Sequence, residues 1–182
     1  MKLWKTLSRK TVFEKEPWLR LEEHQIELPD GRVLDEWVWI DTPDFVIVVA
    51  VNEQGLFLVF EQTKYASPGI TLAPVGGYIQ PGEAPLDAAK RELLEEMGCR
   101  SDNWIDLGCF ATDANRGNGK GYYFLAKNAR KVDQTAVSDD LEEQELLILS
   151  ASELQEALDR NRVKIITWQA AFAMALLHQS KE

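Results

Sequence analysis

Apolar positions fall into short, β-branched runs interrupted by a few intervals of helical period. Leu19, Leu21, Ile26 and Leu28 lie in a strand-like stretch that ends at the turn signal Pro29-Asp30-Gly31. A second stretch, 33–40, is rich in Trp and Val, and the two together predict a β-hairpin. The continuous run FVIVVAV at 45–51 is too short for a typical helix and is β-branched, so it predicts a buried central strand. Asn52-Glu53-Gln54-Gly55 turns the chain into a further strand at 56–60. Residues 69–82 contain four glycines and two prolines and read as loop. A helix follows over about 85–97, with strands expected at 104–111 and 122–126. Ser150 and Glu153 form a capping-box pattern that opens a helix to about Arg160, and a last helix covers about 168–178. The mixture is that of an α/β fold. A seam near Thr42-Pro43 would separate an N-terminal β region, 1–42, from the rest, 43–182.

Composition narrows the class. With 182 residues, 45% hydrophobic and 27% charged, the chain can bury its own core. No run has the length of a membrane span. Met1-Lys2-Leu3-Trp4-Lys5 lacks the apolar core of a signal peptide. Cys99 and Cys109 form no paired motif, which predicts a reduced, cytoplasmic protein. A net charge of -10 argues against a nucleic-acid partner, which needs a basic face. It leaves room for a small phosphorylated ligand, because a bound metal ion can reverse the local field.

The 85–98 segment carries the candidate chemistry. Ala89, Leu93 and Met97 recur every four residues and predict a core-facing stripe. Glu92, Glu95 and Glu96 share another side of the same helix. Like charges four apart cost roughly 0.2–0.5 kcal/mol, and acids in a last turn oppose the helix dipole. Lys90 and Arg91 offset only part of this. A helix that breaks local rules without local gain points to function, and a hard divalent cation would use clustered carboxylate oxygens. A solvated acidic face is the bland alternative for a bare Glu-x-x-Glu-Glu.

The flanks decide between the two. GYIQPGEAPLDAAKRELLEEMGC sets Gly77, Glu83, Arg91-Glu92-Leu93, Glu95-Glu96 and Gly98 at the spacing G-x5-E-x7-R-E-U-x-E-E-x-G-U, where U is apolar. This resembles the signature of the Nudix hydrolases, with Cys99 at the final apolar place. Outside it, Pro29-Asp30-Gly31, the VIVVAV run, EQTKY, Leu72-Ala-Pro-Val-Gly-Gly77 and the acidic stretch Asp139 to Glu145 look like the ADP-ribose pyrophosphatase branch. Departures are Ala73, where the branch often has Glu, the absence of Arg at Lys64-Tyr65-Ala66, and Thr112 to Gly117 in place of a Ser-Pro-Gly segment.

The resemblance implies a Nudix-type α/β/α sandwich with a mixed sheet, an N-terminal β region that builds a homodimer, and Mg²⁺-dependent hydrolysis of a nucleoside diphosphate sugar. ADP-ribose is the leading substrate, cleaved to AMP and ribose 5-phosphate, and Mn²⁺ can substitute for Mg²⁺. Carried over by position, the Gly76 carbonyl, Glu92 and Glu96 would hold metal. Glu95 would support the cluster, Arg91 would pin the glutamates, and Glu83 would be peripheral. Glu143 would be the general base and Glu145 an outer metal ligand, with Glu142 able to substitute as base. Trp18 and Trp37 would stack on the base, the family position for the second falling on Glu36. Arg116 would replace a missing phosphate contact. The Asn115–Gly121 loop reads as a flexible substrate-side loop. Hydrolysis of another nucleotide, or nucleotide binding without cleavage, remain as alternatives.

Overall fold

The computed structural model describes residues 1–132 and 143–180, which form two compact units. The first comprises 1–44 together with 110–120, and the second 45–109 together with the described residues from 121 on.

In the first unit, β1 (Lys5–Lys15), β2 (Leu19–Glu27) and β3 (Val33–Asp41) form an antiparallel sheet in the order β1-β2-β3. The expected hairpin is therefore a three-stranded meander, with β1 added at its edge. β1 escaped the sequence pattern because bulges between Thr6 and Ser8 and between Thr11 and Phe13 break its period of two. It is exposed along its whole length, including Leu7, Val12 and Phe13. A bulge in β3 sets Glu36 at φ 57° and re-aims Trp37 opposite His24.

The second unit is built on the predicted apolar run. β4 (Phe45–Val51) is almost fully buried, as its uninterrupted Val and Ile require. It pairs parallel with β10 (Lys120–Lys127), which neighbours β9 (Asn103–Ala111), and antiparallel with the start of β5 (Phe57–Lys64). Beyond that contact β4 and β5 separate, and β6 (Ser67–Ala73) and β7 (Val75–Tyr78) fill the gap, β6 on β5 and β7 on β4. The glycine-rich interval read as loop is thus largely strand. Its pairing is decided by the open edges of β4 and β5, which local propensity cannot report. A further strand absent from the sequence reading, β12 (Gln144–Leu149), closes the far edge against β5. β8 (Cys99–Arg100) and β11 (Arg130–Lys131) form a small separate ribbon.

Helices cover both faces of this sheet. α1 (Pro85–Met97) packs Ala88, Ala89, Leu93 and Met97 against Val46, Val48, Leu58, Phe60 and Val75. α2 (Ala151–Asp159) and α3 (Ile166–Gln179) cover the opposite face, where Leu154, Ala171, Phe172 and Ala175 meet Ile47, Val49, Phe57 and Val59. The predicted capping box at Ser150 and Glu153 is formed in both directions. This is the α/β/α sandwich with a mixed sheet expected from the sequence. Among the described residues no helix is long and apolar enough to cross a membrane.

Candidate active site

α1 is delivered to its place by punctuation at both ends. Pro85 stands in its first turn, and Gly98 closes it at φ 63° with its N–H on the Leu94 carbonyl. The helix has no basic residue in its last turn. Lys131, brought over by β11, supplies one from outside: its Nζ donates to the Met97 carbonyl at 2.8 Å.

Arg91 is the hub of the carboxylates. Its Nε and Nη2 donate to the two oxygens of Glu83 at 2.9 Å each, a bidentate pair. Nη1 donates to Glu92 at 2.7 Å and to Glu95 at 3.0 Å, and Nη2 reaches the Tyr78 carbonyl at 3.1 Å. Glu83 is thus the only one of the three glutamates that Arg91 holds with two bonds. Its pairing with Arg91 holds the Glu83 carboxyl below the usual range, and the same bond, ahead of those to Glu92 and Glu95, raises the Arg91 guanidinium. Glu92 goes the other way. Burial pushes its carboxyl up, and Arg91 only partly offsets that.

Gly77 makes this geometry possible. A Cβ there would lie 2.0 Å from Glu92 Oε1 and 2.5 Å from Oε2, so only glycine lets the carboxylate rest against the β7 backbone. Glu96 lies one turn further along the same side of α1. With Gly76, Gly77 and Tyr78 it lines a groove of about 250 Å³, completed by Phe45, Gln62, Lys64 and Trp168.

The structure brings Arg91, Glu92 and Glu95 together, and sets Glu96 in the groove with Gly76. Among the described residues, no three acidic, His or Cys side chains converge closely enough to hold a metal ion as they stand. The donor chemistry nevertheless fits one: two carboxylates and a backbone carbonyl are hard oxygen ligands, and Glu92 is already seated beside the β7 backbone.

Other expected residues are dispersed. Glu145 faces Glu61 across the β12–β5 pair. Glu61 alternates with Phe60 and Gln62, which lie on the α1 side, so Glu145 stands on the face away from α1. Glu143 is exposed and immediately precedes β12. Glu142, Asp139 and Asp140 lie outside the described residues.

In the first unit, Trp37 meets Trp4 edge-on at 5.8 Å and carries the Arg116 guanidinium 5.6 Å from its ring centre. Trp37 Nε1 donates to the Asn115 carbonyl at 3.1 Å. Trp18 lies exposed in the β1–β2 turn, its N–H on the Lys15 carbonyl at 2.9 Å. The loop around Arg116 is tied down rather than loose. Asp113 Oδ1 accepts from the N–H groups of Asn115 and Arg116, and a Cβ at Gly117 would lie 2.3 Å from the Ile40 carbonyl oxygen. Its glycines serve close approach, which correction follows from packing that the sequence does not display. Gln62, buried in the groove with an unpartnered amide oxygen, was not singled out by sequence. Only the pairing of β5 exposes it as unusual.

The chain is similar to known proteins. Residues 41–169 match the NUDIX domain model, and residues 4–40 match the nucleoside diphosphate sugar hydrolase N-terminal domain. A methanol dehydrogenase activator from Bacillus methanolicus is 28% identical over 160 residues, which span 87% of this chain and 85% of that protein. An ADP-ribose pyrophosphatase from Bacillus subtilis (strain 168) is 24% identical over 154 residues, spanning 85% and 80% respectively. The crystal structure of an ADP compounds hydrolase shares the fold at a TM-score of 0.77 and 17% identity, covering 98% of this chain and 94% of the other. With the Arg91 hub and its glutamates in place on α1, the chain belongs to the Nudix family, as a hydrolase of the nucleoside diphosphate sugar type.

Proposed function

We propose that the protein hydrolyses ADP-ribose to AMP and ribose 5-phosphate with Mg²⁺, Mn²⁺ being able to replace it. The observation that carries the reading is the carboxylate-bearing face of α1, with Glu92 against Gly77 and Glu96 in the groove beside Gly76. The likeness to an ADP-ribose pyrophosphatase and to an ADP compounds hydrolase supports an ADP-linked substrate. Glu92, Glu96 and the Gly76 carbonyl would hold the metal. When bound, it would lower the pKa of the attacking water and neutralise charge on the diphosphate. Arg91 fixes the glutamates through its pairs with Glu83, Glu92 and Glu95, so that they are oriented before substrate arrives. Glu143 takes the proton from water. Arg116 and Trp37 form a cationic, aromatic patch suited to a nucleotide. Trp18, exposed in the β1–β2 turn, would be a second aromatic to stack on the base. A panel of nucleotides with Mg²⁺, its products separated by chromatography, is expected to give ADP-ribose a kcat/KM at least tenfold above any nucleoside triphosphate. Faster hydrolysis of a triphosphate would reject this substrate.

The N-terminal β region is proposed to form a homodimer. Trp4, Leu7, Val12, Phe13 and Val38 are exposed on a sheet of only three strands. Exposed apolar area of this kind is characteristic of an interface, and an open edge strand is a liability unless covered. Light scattering at micromolar concentration should give a dimer, and Phe13→Glu should shift it to monomer. A monomeric wild type would reject the assignment.

A further inference from the structure

The groove beside Glu96 contains a buried polar group with an unmet bond. Gln62 is 5% exposed, lines the groove, and its Oε1 has no hydrogen-bond partner among the described residues. Leaving a buried acceptor unpaired is costly, so a retained one calls for a ligand. Strand alternation puts Gln62 on the same face of β5 as Leu58 and Phe60, the face against α1. It therefore lies on the α1 side of the sheet. The register that pairs it with Thr71 and Gln144 holds it there from both sides.

The chemistry of the missing partner is restricted. An amide oxygen needs a donor. A phosphate ionised at neutral pH offers mainly acceptors, whereas a sugar hydroxyl offers both and would also serve the amide nitrogen. A volume of about 250 Å³ lies below the roughly 300–1,000 Å³ of sites that enclose a drug-sized ligand, so the groove takes one part of a substrate. Trp168 and Phe45 give it apolar walls, while Lys64 and Glu96 keep it polar at the sides. A nucleobase would be better served by two facing aromatic planes.

We propose that Gln62, in the groove that Trp168 also lines, forms the subsite for the sugar half of the substrate and selects a pentose by hydrogen bonding to a ring hydroxyl. This rests on the ADP-ribose reading for its substrate. The bond is made by a side chain separate from the carboxylates on α1, so it governs which diphosphate ester is accepted rather than how the diphosphate is cleaved.

The test uses the full-length protein and Gln62→Met, which keeps the volume and removes the amide. Calorimetry with ribose 5-phosphate and with inorganic phosphate, both with Mg²⁺, gives binding without turnover. Kinetics give the ratio of kcat/KM for ADP-ribose to that for the methyl ester of ADP, which has no second sugar. Wild type should bind ribose 5-phosphate more tightly than phosphate, and Gln62→Met should lower both that preference and the kinetic ratio by about tenfold, as for loss of one hydrogen bond. Unchanged preferences in Gln62→Met overturn the proposal, and a lowered unfolding midpoint with unchanged preferences would make Gln62 structural. Loss of an evident ribose 5-phosphate preference, in a protein that does not cleave ADP-ribose, would keep the subsite and reject ADP-ribose as substrate. Cleavage of ADP-ribose with preferences unaffected by Gln62→Met would do the reverse. A wild type without preference for ribose 5-phosphate over phosphate also overturns the subsite.

Discussion

Glu96→Gln should lower kcat for ADP-ribose by at least about 10²-fold while the protein stays folded. Glu96 is the carboxylate that α1 presents to the groove, beside the Gly76 and Gly77 backbone. Substituting a group that only supports a metal ligand typically costs about 10–100-fold, so a ligand itself should cost at least the upper end of that range. The substitution removes one negative charge from an i,i+4 pair with Glu92. Without metal, stability should therefore stay level or rise by a few tenths of a kcal/mol. Glu92 is a less clean choice, because its removal also takes a partner from Arg91. Two readouts separate the roles: Mn²⁺ binding by electron paramagnetic resonance should weaken in Glu96→Gln, and the thermal midpoint in chelator should not fall. Wild-type turnover in excess chelator, or full turnover by Glu96→Gln, would reject the metal assignment.

Glu143→Gln should lower kcat by about 10²–10⁴-fold, the usual contribution of a general base, with substrate binding nearly unchanged. Carboxylates engaged with a metal have lone pairs poorly placed to accept a proton from water, so the base is sought off α1. The antiparallel register brings Gln144 beside Gln62, which lines the groove. Glu143, one residue earlier, enters the sheet at that edge. It precedes β12, so the alternation that turns Glu145 to the far face does not constrain it. Glu142 is the natural competitor. A loss below tenfold in Glu143→Gln together with a large loss in Glu142→Gln would move the role one residue, and small effects from both would place the base elsewhere.

The helix that bears the glutamates was legible almost to the residue, because Pro85, Gly98 and the Ala89-Leu93-Met97 period are local signals. So was β4, whose unbroken apolar run has few alternatives. What failed was non-local. β6 and β7 are glycine- and proline-bearing strands held by the diverging edges of β4 and β5. β1 lost its alternation to two bulges. The one-residue slip between Glu36 and Trp37 coincides with the β3 bulge, where two residues oppose one on β2. Within the site, the spacing signature named Arg91 and Glu83 but could not rank them. Their bidentate pair spans the loop into α1, and only folding reveals it as the strongest tie in the cluster.

The pairing of β12 with β5 has a consequence for how this enzyme type can vary. β11 is anchored on β8 before the 132–143 connection and β12 on β5 after it. Doubling the length of a connection with fixed ends costs only about 0.6 kcal/mol in closure entropy. Changes of length there are thermodynamically cheap. Glu143 adjoins β12, so its backbone is placed by the start of that strand rather than by the length of the segment before it. Changes of length in that segment would therefore leave the backbone that bears Glu143 where it is.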